Sequence, residues 1–291
     1  MSQQTFDVPA EATEDSGFFA RLANPVRSRP LPAFFVLAYA ISWLPAISYA
    51  ITGSGPVILS CGPTIAAIVV LALTVGKPGV KALFRAIVKW RVPLRWWLVA
   101  ILTPIGLSAL ATALNVATGA ERPTSDDLAK WTNIPALVLI ILLVPLIGGA
   151  WEEPGWRGYS LPELLKSRSA LSASLVLGVL WSLWHIPVLA IGDQHWSDLV
   201  LVIPATVVIT WVFLNALSSV LVVMVLHSLN NTVSGEYFSQ WFEGSDSTRQ
   251  SWWLVVVWAI AAVLVVRFSG VFRNAATRSG SGATQFSARR S

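Results

Sequence analysis

Two carboxylates and a guanidinium stand together in Trp151-Glu152-Glu153-Pro154-Gly155-Trp156-Arg157-Gly158, directly after one of the most apolar runs in the chain. An ionised group beside hydrocarbon costs several kcal/mol unless it is paired or faces a wet cavity. On a helix, Glu153 and Arg157 lie four positions apart on one face and can neutralise each other. Glu152 then points about 100° away and is left for chemistry or for another helix. Only two other places set strongly polar groups inside apolar runs: His185, and His227 with Asn231. His227 and Asn231 are spaced i, i+4, as are Trp181 and His185, so each helix can present its pair to a common interior. The bland reading of 151–158 is a helix end whose charges snorkel to the membrane surface. A lone buried histidine is also most often a packing group. Two histidines and an unpaired glutamate on three apolar segments favour a site. His195, in the loop Gly192 to Ser197, reads as an exposed loop residue.

These residues need elements to hold them, and the composition says which. Of the chain, 55% is hydrophobic and only 12% charged, mean hydropathy is +0.65, and several apolar runs reach the roughly 20 residues a bilayer crossing needs. This predicts an all-α, polytopic membrane protein of about eight transmembrane helices enclosing an intramembrane polar site. Many of the 15 tryptophans (Trp90, Trp96, Trp97, Trp131, Trp151, Trp252, Trp253) fall at the ends of apolar runs, where an aromatic belt sits. Cys61 is the one cysteine, which excludes an intrachain disulfide. The net charge of +5 is dispersed over several segments, which marks cytoplasmic loops and not nucleic-acid binding.

Arg21, Arg27 and Arg29 precede the first apolar run and set a cytoplasmic N-terminal segment over 1–30, with no removable signal peptide. Crossings are expected at about 32–52, 56–75, 96–118, 132–151, 170–191, 199–214, 217–234 and 252–268, forming one transmembrane domain over 31–268. Lys81, Arg85 and Lys89 repeat every four residues in 77–95, with Leu83 and Ile87 opposite, the pattern of an interfacial helix on anionic lipid. Eight crossings put this segment and the Arg-rich, disordered tail 269–291 in the cytoplasm and every acidic loop outside. The location is thus the cell membrane, with both termini cytoplasmic.

Over roughly 130–235, with the motif elements in order on separate crossings, the sequence resembles the CPBP group of intramembrane proteases, which includes CAAX prenyl proteases and bacteriocin-processing enzymes. The resemblance rests on EExxxR at Glu152 to Arg157, on FxxxH at Trp181 to His185 with Trp for Phe, and on HxxxN at His227 to Asn231. It implies an endopeptidase acting on a membrane-associated peptide or protein, with Glu152 and His185 activating water and His227 and Asn231 supporting the oxyanion. The chemistry of the residues agrees. A partly desolvated Glu152 suits a general base, and an imidazole and an amide can donate to a tetrahedral oxyanion. Glu153 and Arg157 are the structural counter-ions.

A metal competes for the same groups, because Glu152, His185 and His227 would also make a three-ligand zinc site with one open position. The chain lacks HExxH and places one histidine per helix, so no cofactor is the favoured reading. A transporter, or a non-catalytic immunity or assembly protein using the same cluster, is the alternative function, although no paired broken half-repeats are evident. One geometric problem remains. At about 1.5 Å per residue, Glu152 falls at the cytoplasmic end of its crossing and His185 roughly 22 Å into the next. Either Pro145 and Pro154 break the fourth crossing, or the stretch 159–169 dips into the membrane; a water-filled cavity open to the cytoplasm is expected.

Overall fold

The computed structural model describes residues 24–146, 148–192 and 194–273. Most of the expected N-terminal segment and tail, and Asp193 of the acidic loop, lie outside them. The architecture is all-helical among the described residues. The main helices are α1 (Pro30–Thr52), α2 (Gly62–Thr74), α3 (Lys77–Ile87), α4 (Leu94–Ala117), α5 (Ile134–Leu143), α6 (Ala170–Trp184), α7 (Trp196–Asn215), α8 (Val220–Asn230) and α9 (Gly244–Phe268).

Four of these, α1, α4, α7 and α9, are long and apolar enough to cross a bilayer. Each of the other four expected crossings is shorter or broken, and the site is built from those pieces. Helix α5 has ten residues, a rise of about 15 Å, half the roughly 30 Å hydrocarbon thickness. It stops because Val144 precedes Pro145, and a residue before proline is pushed out of the helical region; Val144 sits at φ −98°, ψ 108°. Helix resumes only at Ala150 and continues to Leu165 as a 3₁₀ turn, a short α segment, a π turn over Trp156–Ser160 and a final α turn. The fourth crossing is therefore a broken element running on to Leu165. Of the two expected ways to bring Glu152 to depth, the break at Pro145 is the one observed. Pro154 breaks nothing, since it occupies a first-turn position where its missing N–H has no partner to lose.

The break is held by tertiary contacts. Trp151 Nε1 donates to Leu142 O at 3.0 Å, and Thr64 Oγ1 of α2 donates to Trp151 O. A Cβ at Gly155 would stand 2.4 Å from the Pro63 backbone, so only glycine permits this approach. Helix α8, hydrophobic all round, is buried all round and forms the centre of the bundle. Helices α6 and α7 run antiparallel, with Ser182 Oγ donating to Leu199 O and Gly178 against Ile203.

Opposite charges collect at opposite ends of the bundle. At one end lies α3, which buries Gly79, Leu83 and Ile87 and exposes Lys81 and Arg85, as its spacing predicted. Lys89 there donates to Leu217 O across the α7–α8 turn. At the other end Arg249 bridges Asn115 and Asp246, tying α9 to α4. Of the expected belt, Trp90, Trp131 and Trp252 are exposed, whereas Trp96 turns inward against Trp211.

Candidate active site

The residues Glu152, Glu153, Arg157, His185, His227 and Asn231 come from three elements, the helical run after the α5 break, the end of α6, and α8 with its continuation. Glu152 is 4% exposed, Glu153 and Arg157 are 0% and His227 is 6%. This excludes the bland reading of 151–158, because none of its charges reaches a surface.

The two adjacent carboxylates have separate partners. Glu153 Oε1 accepts from Arg157 Nη1 at 2.8 Å, the helical pair its spacing predicted. The same oxygen lies 2.8 Å from His227 Nδ1. An ionised carboxylate only accepts, so Nδ1 carries the ring proton there. Glu153 is therefore both the counter-ion of Arg157 and the group that orients His227. Glu152 turns the other way and accepts at one oxygen, Oε2, from Trp181 Nε1 at 2.6 Å and from Trp156 Nε1 at 3.2 Å. Its Oε1 accepts no hydrogen bond among the described residues.

His185 occupies the C-cap of α6, just before Pro187, where the helix yields to a second short one, Ile186–Ala190. Its Nδ1 lies 2.9 Å from Trp181 O. A carbonyl can only accept, so this histidine too is held with Nδ1 protonated and Nε2 turned away. Asn231 begins a π-helical continuation of α8, a widened turn that displaces the residues beyond it from the α-helical face. Gly149, in the break before Ala150, passes so close to His227 that a Cβ there would stand 2.1 Å from Nε2.

Glu152, His185, His227 and Asn231 all line one cavity of about 710 Å³. Gln194, His195, Asp198, Glu236 and Glu243 line it as well, and all belong to the acidic end of the bundle. The cavity is therefore lined by polar groups from the cluster to its mouth at the acidic end. That end carries the acidic loops, opposite the basic end formed by α3. His195 is exposed, as expected, and caps α7 at that mouth, its backbone N–H donating to Asp198 Oδ2 at 2.8 Å. Among the described residues no group of three or more His, Cys, Asp or Glu side chains is placed to hold a metal ion.

Two features escaped the sequence reading. The indoles of Trp156 and Trp181 bond to Glu152, although the spacing of Trp156 four residues after Glu152 was a visible signal. The contact between Glu153 and His227 spans 74 residues and left no local trace.

Fold and site together define a polytopic membrane protein with a buried charged cluster on a cavity among its helices. Comparison with known proteins narrows the class. Residues 134–233 match the family model described as type II CAAX prenyl endopeptidase Rce1-like. The chain is 30% identical over 103 residues to CAAX prenyl protease 2 of Methanococcus maripaludis, covering 31% of this chain and 38% of that protein. The 134–233 region, about a third of the chain, contains every residue of the cluster, and the two matches together support a CPBP-family protease.

Proposed function

We propose that the chain is an intramembrane endopeptidase that hydrolyses a peptide bond in a membrane-associated peptide or protein. The observation that carries this reading is the convergence of Glu152, His185, His227 and Asn231 on one wet cavity within a bundle of apolar helices. A buried carboxylate with one free oxygen, lining the same cavity as an imidazole whose Nε2 is unprotonated, is suited to take a proton from water. The hydroxide formed adds to the scissile carbonyl carbon. The negative oxygen is met by the Asn231 amide and by the His227 imidazole, which Glu153 orients through Nδ1. The C–N bond then breaks as Glu152 returns its proton to the leaving amine. Substrates with a membrane anchor, including the class in the name of the CAAX prenyl protease relative, fit a cavity that opens at one end of an apolar helical bundle.

Zinc is the second reading, and one observation favours it. Both histidines give Nδ1 to an acceptor and keep Nε2 free, the arrangement that orients metal-ligating histidines. Glu152, His185 and His227 would be the ligands, and the ion would act as Lewis acid toward water and carbonyl. We favour the metal-independent route because Glu152, His185 and His227, although they line one cavity, are not grouped closely enough among the described residues to hold an ion.

We further propose eight crossings with the basic end and both termini in the cytoplasm, which makes the cavity mouth face outward. The deciding experiment for the activity is incubation of the purified protein with a library of membrane-anchored peptides and mapping of the cleavage products. Cleavage by the wild type and none by Glu152→Gln supports the reading, and equal cleavage by both overturns it.

A further inference from the structure

Trp181 touches more of the charged cluster than any proposed catalytic residue does. Its indole N–H donates to Glu152 Oε2, the Arg157 guanidinium carbon lies 4.3 Å from its ring centroid, and its ring meets His227 edge to face at 5.2 Å. Its backbone carbonyl takes the His185 Nδ1 proton. Trp156, fully buried, brings a second indole N–H to the same oxygen of Glu152 from one helical turn below. Neither ring is needed merely to fill space in hydrocarbon, where leucine or phenylalanine would serve without an N–H to satisfy.

Resting on the proposed peptidase reading, we propose that Trp181 and Trp156 form a two-indole clamp that positions the Glu152 carboxylate, fixing Oε2 so that Oε1 alone faces the cavity and the water. A carboxylate on a flexible stem samples several rotamers, and holding one oxygen with two donors removes that freedom before substrate arrives. The donors also favour the ionised form, the only one that accepts a proton. The same ring, with Arg157 over its face and His227 at its edge, joins the three elements that meet there. Trp181 is therefore a positioning residue whose N–H acts through Glu152.

The test is Trp181→Phe, which keeps an aromatic face under Arg157 and deletes the N–H. The expected result is kcat lower by roughly tenfold or more, since a hydrogen bond to a charged group is lost. KM should be unchanged and the acidic limb of the pH profile displaced toward higher pH. Trp184→Phe is the control: it removes, from the same helix, an indole N–H that has no partner among the described residues and should leave the profile in place. A folded Trp181→Phe enzyme with wild-type kcat and an unmoved profile would overturn the clamp. If that variant does not fold, indole ¹⁵N–¹H spectra of Glu152→Ala, which removes the shared acceptor, decide: two indole signals shifted from their wild-type positions support the clamp, and none shifted overturns it. Loss of activity in Glu152→Gln with no effect in Trp181→Phe sinks the clamp alone, whereas an active Glu152→Gln sinks the peptidase reading beneath it.

Discussion

Glu153 Oε1 sits 2.8 Å from Arg157 Nη1 and 2.8 Å from His227 Nδ1, so a single fully buried oxygen joins a helical ion pair to a histidine on the central helix. The neighbouring Glu152 shares neither partner. Adjacent identical residues thus have different work, and substitutions should separate them.

Glu153→Gln removes the negative charge facing Arg157 and His227. Breaking a buried pair on one side costs about 3–5 kcal/mol, because the surviving charge is left uncompensated. The variant should lose thermal stability and yield as well as activity, read by thermal unfolding in detergent. Glu152→Gln keeps an oxygen that can accept from both indoles, so it should unfold near the wild-type temperature and yet lose activity by roughly 10²- to 10⁴-fold, the usual contribution of a general base.

His227→Gln keeps a hydrogen-bond donor. On the metal-independent reading it retains slow cleavage, lower by roughly 10²- to 10³-fold, as for loss of one oxyanion donor. Prolonged chelation should leave the wild type active, and elemental analysis of active protein should find no stoichiometric zinc. One zinc per chain, with chelator inhibition reversed by added zinc, would move Glu152, His185 and His227 to ligand roles.

Gly149→Ala tests the approach of the chain break to His227. Gly149 has φ −85°, so alanine is conformationally allowed and the effect is purely one of contact. The new methyl would stand 2.1 Å from Nε2 and must displace the imidazole or the loop. Overpacking of this kind costs typically about 1–3 kcal/mol, and activity should fall by more than that stability loss accounts for. Comparison of kcat with the fraction of folded protein checks this.

Orientation follows from labelling. With buried Cys61 replaced by Ala, cysteines at the exposed positions Ser245 and Ser167, at the acidic and basic ends, should react with an impermeant reagent from opposite faces, Ser245 from outside. A cysteine at Gln240, by the cavity mouth, should react from the same face as Ser245. Reaction of Ser245 only from inside would reverse the orientation and restore a cytoplasmic opening.

The sequence alone determined the class of fold, because apolar runs of bilayer length have no other stable solution than helices, which satisfy every backbone group internally. It also determined the amphipathic face of α3, the Glu153–Arg157 pair and the residues worth examining, since these depend on spacing within about two helical turns. Sequence periodicity could not supply the place where the fourth crossing breaks. A straight helix through Val144 and Pro145 put Glu152 out of reach of His185, and only the packing of Thr64, Pro63 and Leu142 around Trp151 sets where the chain resumes. The long-range partners of the two carboxylates were likewise a tertiary outcome: Trp181 of α6 for Glu152 and His227 of α8 for Glu153. The end of the bundle at which the cavity lies was also tertiary, because its lining is drawn from α6, α7, α8 with its continuation, and α9 together.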